Sequence, residues 1–193
     1  TVVHRPDIGI TVQLGLGREL AHQCRIPVVY DMRANDMIHG GQGAPLVPAY
    51  HRALASKSKQ HPIAIVNIGG VANVTWIGSD GDLVAFDTGP GNALIDDWIK
   101  RHTGVSRDEG GKLGLLGQVD EASVVQFLGD SFFEQLVPKS LDRNTFAGYN
   151  LSGLNVADGA ATLVAVTARS IALSSRHMPE HPKSWIICGG GRH

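Results

Sequence analysis

Short apolar blocks separated by glycine- and proline-rich breaks run the length of the chain, and they predict alternating strands and helices. β-Branched and apolar residues mix at 11–16 (TVQLGL), and Gly17 then opens a helical stretch at 18–24. The run IPVVYD at 26–31 has the length and composition of a buried strand. A glycine loop, GGQGAP at 40–45, leads to a helix around 48–56 whose entry carries Pro45 and Pro48. Three strands are predicted at 63–68, 72–77 and 83–86, broken by Gly69-Gly70 and by the hairpin signal Ser79-Asp80-Gly81. After the third strand, Gly89, Pro90 and Gly91 predict a tight turn, with Asn92 as the N-cap of a helix at 93–102. Residues 105–117 read as loop, 121–128 and 130–136 as helices, and 139–154 as turns without a period. The stretch 157–177, rich in Ala and Leu, is the strongest helix, with Asp158 near its start and Pro179 and Pro182 beyond its end. A last strand, WIIC at 185–188, runs into Gly189-Gly190-Gly191, and no repeat of solenoid period is present.

Composition narrows the class. Apolar residues make up 42% of the chain and charged residues 18%, which fits a soluble α/β protein and excludes a disordered one. The formal net charge of −1, without a long Lys/Arg run, argues against a nucleic-acid partner. Cys24 and Cys188 lie too far apart for a zinc cluster or a disulfide framework, and a reducing cytoplasm is the simplest setting. No apolar run in the sequence approaches the length that crosses a bilayer, so no membrane is expected. The polar run SKSKQH at 56–61 is the best candidate for a lobe boundary. The chain opens on Thr-Val-Val-His and ends on GGGRH directly after a strand, so it reads as an internal piece of a longer fold.

Three glycine turns follow apolar strands: NIGG at 67–70, DTGPG at 87–91 and CGGG at 188–191. Glycines at a strand's carboxyl end let backbone amides approach an anion, and a helix that follows adds favourable partial charge. One such turn is more often a plain chain reversal; three in this order point to a binding site. Asp87 stands beside the second turn, where a carboxylate could orient magnesium, position water or accept a proton next to a transferred phosphate. Capping the following helix is its structural alternative. In DMRANDMIHGGQGAPLVP at 31–48, Asp31, Arg33 and Asp36 precede the glycine loop; Arg pairs with carboxylates and Asp with hydroxyls, as a sugar acid would require. An exposed local ion pair is the alternative there. The adjacent Asp96 and Asp97 face different directions on a helix and make a poor dyad, and the histidines show no ligand spacing. Lys139 and Arg143 fit a solvated loop as well as a phosphate contact.

With HRP at 4–6, TVQLG at 11–15, DMRANDMIHGGQGAPLVP at 31–48, NIGGVANVT at 67–75, FDTGPGNALIDDWI at 86–99 and CGGG at 188–191, the chain closely resembles anhydro-N-acetylmuramic acid kinases over nearly its whole length. The resemblance implies an α/β, actin-like ATPase (ribonuclease H-like) fold. Residues 1–59 would be the later part of the first lobe, and residues 60–193 the first part of the second. Family enzymes use ATP and Mg2+ to open the 1,6-anhydro bond and phosphorylate O6 of a small-molecule sugar, in cell-wall recycling. By resemblance Asp87 is the base that deprotonates the attacking water. Gly69, Gly70, Gly89, Gly91, Asn92, Gly189, Gly190 and Gly191 would bind the nucleotide, the last three in the adenosine region. Arg33, Asp36, Gly40, Gly41 and Gly43 would lie near the sugar. No protein metal ligand is assigned, and a homodimer is carried as a partner reading. The family's first phosphate loop, of Met-Ser-Gly-Thr-Ser type, is absent from these residues, so the chain alone is expected to bind ATP poorly. Another actin-like phosphotransferase, or a non-catalytic module of the same fold, are the competing readings.

Overall fold

The computed structural model describes residues 3–193. Its centre is a four-stranded mixed sheet in the order β5-β4-β3-β6. Strands β3 (Ile63–Ile68), β4 (Val71–Ile77) and β5 (Leu83–Pro90) form an antiparallel meander, and β6 (Ser184–Cys188) joins parallel to β3. A separate two-stranded ribbon pairs β1 (Val3–Arg5) with β2 (Ile10–Val12).

The period of two along each strand divides the sheet into two faces. One face carries Ala64, Val66, Ile68, Ala72, Val74, Trp76 and Phe86, and packs against Ile171 near the end of helix α6 (Val156–Leu173) and Met178 just past the 3-10 turn that follows it. The other carries Ile63, Ile65 and Ile77 and receives Ala55 of α3 (Pro48–Ala55), where His51 and Thr75 hydrogen-bond at 2.8 Å. Helix α6 is the hub of the molecule. It also buries Ala160 and Leu163 against Trp98 and Ile99 of α4 (Asn92–Thr103), and Val166 against Val124 and Phe127 of α5 (Glu121–Leu128). Asn155 caps it by accepting the Asp158 amide at 2.9 Å. With the 3-10 turn that follows, α6 is long and apolar enough by composition to cross a membrane, which the sequence expectation had denied; half of it is buried, as suits a core helix.

Four expectations are corrected. Residues 26–31 form no strand: Ile26, Val29 and Tyr30 are exposed, and no described strand offers the ladder an extended segment needs. Helix α1 (Gly17–Cys24) precedes them and helix α2 (Met32–Ile38) follows. Strand β5 does not stop at Phe86 but runs to Pro90, because Gly89 and Pro90 pair with Ala72 and Val71 past a bulge at Thr88. The tight turn expected at Gly89, Pro90 and Gly91 therefore shrinks to Gly91. Asn92 is the first residue of α4 and Gly91 its cap, so Asn92 does not act as the N-cap. The helix expected at 130–136 is a single 3-10 turn, Ser131–Glu134. It ends as the chain turns extended at Gln135.

Candidate active site

Strand register assembles a polar row that the sequence did not announce. Asp87 pairs with Asn73, Asn73 with Asn67 and Asn67 with Cys188, one residue from each strand. Cross-strand partners point to the same face, here the α3 face near the carboxyl ends of β3 and β6. The Cys188 thiol lies 3.9 Å from Asn67 Oδ1. Asn73 Oδ1 is fully enclosed and lacks a hydrogen-bond partner, a state shared among the described residues only by His4 Nε2. A buried acceptor without a donor is costly, so the row is suited to receive one. Polar residues at alternate positions of otherwise apolar strands, Asn67 and Asn73, were the available signal.

Asp87 is 5% exposed. Its amide donates to the Lys139 carbonyl at 3.0 Å, and its Oδ2 accepts the Leu141 amide at 2.7 Å. Burial pushes its carboxyl up to about 6, against the Leu141 hydrogen bond and the field of Arg33 on α2, which both favour the anion. The Arg33 field couples the segment before residue 59 to the sheet.

The glycines sort into two sets. Gly69 and Gly70 turn β3 into β4, and Gly91 lies against them. The amides of Gly91, Asn92 and Ala93 donate to the carbonyls of Gly70, Gly69 and Gly70 at 2.9, 2.7 and 3.1 Å. Those amides are thus spent joining two turns. A Cβ on Gly191 would overlap Ile68 and the Asn92 amide group, and one on Gly189 would overlap the Ile68 carbonyl. All three glycine runs thereby meet at one end of the sheet, with Gly70 and Gly190 exposed at the rim. Gly89 is set apart, closed off by Ser170 of α6 and by Phe133.

Arg33 and Asp36 fasten the glycine loop. Arg33 Nη1 donates to the Gly43 carbonyl at 2.5 Å, Asp36 Oδ2 accepts the Gly43 amide at 2.7 Å, and the Gly41 amide donates to the Asp36 carbonyl at 2.9 Å. Gly40 and Gly43 have φ of 86° and 67°, the left-handed region that glycine occupies without strain. Beside this loop an open cavity of about 600 Å³ is lined by Gln13, Tyr30, Asp31, Met32, Arg33 and Leu46, among others. Gln13 holds Asp31 at 3.2 Å within it. Asp97 and Arg143 pair at 2.9 Å on the surface.

Glycine turns gathered at the strand ends of an α/β fold, beside a buried carboxyl that burial pushes up to about 6, make this end of the sheet the candidate site. The family model for anhydro-N-acetylmuramic acid kinase matches residues 1–193. Proteins named anhydro-N-acetylmuramic acid kinase from Rhizobium etli and Rhodospirillum rubrum are each 53% identical over the whole chain, and that from Zymomonas mobilis is 50% identical. The chain belongs to the anhydro-N-acetylmuramic acid kinase family. It spans about half of the length of these relatives, 52%, 51% and 53% in turn.

Proposed function

We propose that the protein containing this chain is an ATP-dependent kinase of anhydro-N-acetylmuramic acid, with Asp87 as its base. The observation that carries the reading is the buried Asp87 carboxyl, pushed up to about 6 on the α3 face of the sheet, within the field of Arg33. A base with that value is mostly ionised at pH 7 yet still basic enough to take a proton, the balance general-base catalysis requires.

Asp87 takes a proton from a water molecule whose oxygen bonds to the anomeric carbon of the sugar. The bond from that carbon to O6 breaks, and the freed O6 accepts the γ-phosphoryl group of ATP, leaving ADP and the 6-phosphate. Capture of O6 by phosphate prevents religation. The cavity beside Arg33 and Asp31 suits the sugar and its carboxylate, with Asp36 and Gly40, Gly41 and Gly43 as its supporting wall. Gly69, Gly70, Gly91 and Asn92 would shape the phosphate end, Gly91 and Asn92 through the joined turns rather than through their spent amides, and Gly189, Gly190 and Gly191 the adenosine end; Gly89, against α6, would be a packing residue. No group of three His, Cys, Asp or Glu side chains suited to a metal gathers among the described residues. Mg2+ enters the proposal as an ion carried mainly by the ATP phosphates, its common mode in phosphoryl transfer.

The sheet order, with three antiparallel strands and a fourth parallel to the first, supports a ribonuclease H-like lobe at 60–193, with 1–59 belonging to the preceding lobe. Two free thiols, on Cys24 and Cys188, support a cytoplasmic setting. Recycling of cell-wall sugars is the process served, and a homodimer stays part of the proposal.

The intact protein, given ATP and the anhydro sugar, is expected to yield ADP and sugar 6-phosphate in equal amounts. The acid limb of kcat should fall tenfold per pH unit below about 6. Mass spectrometry of the product, with 18O water, checks both bonds. ADP formed without sugar phosphate, or label absent from the anomeric position, would overturn the reading.

A further inference from the structure

A strap at 137–141 wraps the free edge of β5, the outermost strand of the sheet. On the α6 side it plants Lys139, which is 5% exposed. The Lys139 ammonium donates to the Phe132 carbonyl at 3.0 Å and reaches the Phe133 carbonyl and His177 Nε2 at 3.5 Å. It also lies 4.5 Å over the Phe132 ring. No carboxylate forms an ion pair with it among the described residues; Glu134, the nearest acid in its field, pairs with Arg176 instead. A buried cation whose partners are carbonyls is an expensive choice for an edge strap, and its two backbone neighbours show what it holds. The carbonyl of Lys139 itself accepts the Asp87 amide, and two residues on, the Leu141 amide donates to the Asp87 carboxylate.

We propose that Lys139 is a positioning residue for Asp87: its buried ammonium tethers the strap so that the Leu141 amide stays on the Asp87 carboxylate. The tether and the carboxylate lie on opposite sides of β5, so the ammonium acts through the backbone and never meets substrate. Charged groups facing Lys139 are Arg176, His177 and Glu134, and the one facing Asp87 from another element is Arg33. Burial, with Arg176 beside it, pushes the Lys139 amine down to about 8, so the amine is largely cationic at neutral pH. The neutral amine would still donate, so the tether survives deprotonation.

The catalytic consequence rests on Asp87 being the base; the tether itself does not. The test therefore reads the Asp87 carboxyl directly, by 13C NMR titration of the intact protein, with Asp87→Asn assigning the signal. In Lys139→Met the strap loses its anchor, and the midpoint should rise by about one pH unit as the Leu141 hydrogen bond is lost. Leu141→Pro removes the amide proton without touching the ammonium and should give the same rise. Lys139→Gln keeps one donor and should fall between; it carries the test should the methionine variant not fold. The acid limb of kcat should move with the NMR midpoint in every variant. An unchanged midpoint in folded Lys139→Gln or Lys139→Met, with a raised one in Leu141→Pro, would overturn the tether. A raised midpoint without movement of the acid limb would leave the tether standing and remove Asp87 from the base role.

Discussion

Asp87→Asn is expected to abolish turnover while making the protein more stable at neutral pH. The two effects share one cause. Burial raises the carboxyl from 3.8 to about 6, so the folded state holds a proton that the unfolded chain has already released. Below about pH 4 the group is protonated in both states and neither favours unfolding. As pH rises from about 4 to about 6 the unfolded chain ionises while the folded protein, with the carboxyl only 5% exposed, keeps its proton, so stability falls; above 6 the folded carboxyl ionises too and the loss levels off. The shift corresponds to roughly 3 kcal/mol above pH 6, an order-of-magnitude figure. Asparagine never ionises and still offers an oxygen to the Leu141 amide. Its advantage in Tm should therefore be absent near pH 4, grow between pH 4 and 6, and level off above, at several degrees. Calorimetry across that range, beside a turnover assay, reads both. A variant that melts lower than the parent at pH 7 would make Asp87 a structural residue whose bonds to the strap outweigh its burial.

The same residue shows where sequence reasoning reached its limit. The meander, its two breaks and helix α6 were legible, because their periods and turn residues act locally: Gly69-Gly70 and the break before Leu83 fall where expected. Strand β5 was cut short because Thr-Gly-Pro looks like a turn in isolation. Its pairing with Val71 and Ala72 is decided by a neighbour and carries the chain onward to Pro90. That extension moves Asp87 from a strand end into a strand, and so into register with Asn73 and Asn67. A row built from four strands has no signature in any one of them. Residues 26–31 fail in the opposite direction: their composition is that of a buried strand, but burial is supplied by partners, and none of the described strands pairs with them. Lys139 was legible as a solvated loop lysine or a phosphate contact, and its burial was not, since that follows from the Phe132 and Phe133 carbonyls folding back over it.

Gly91→Ala is expected to break nucleotide binding from a position where a methyl group has nowhere to go. Its Cβ would stand 2.2 Å from the Gly69 carbonyl oxygen and 3.1 Å from the Val71 carbonyl carbon. Both obstacles are backbone, so no side-chain rotation relieves them. Relief requires parting the two turns, which breaks the hydrogen bonds from Gly91, Asn92 and Ala93 to Gly70 and Gly69. Overpacking of this kind costs about 1–3 kcal/mol, and freeing three amides adds to it. The damage also spreads along Asn92, whose side-chain amide donates to the Ile68 carbonyl at 3.3 Å and stands against Gly191. The proposed phosphate and adenosine ends would thus shift together, and ATP affinity in the intact protein should fall at least about tenfold, the equivalent of about 1.4 kcal/mol. Gly148→Ala is the control, because a Cβ there meets nothing within 4 Å; it should leave the unfolding free energy within about 0.5 kcal/mol of the parent and ATP binding intact. Isothermal titration with ATP and a melting curve on both variants distinguish the cases. Unchanged ATP affinity in a folded Gly91→Ala protein would mean that the joined turns are a sheet-end staple and nothing more.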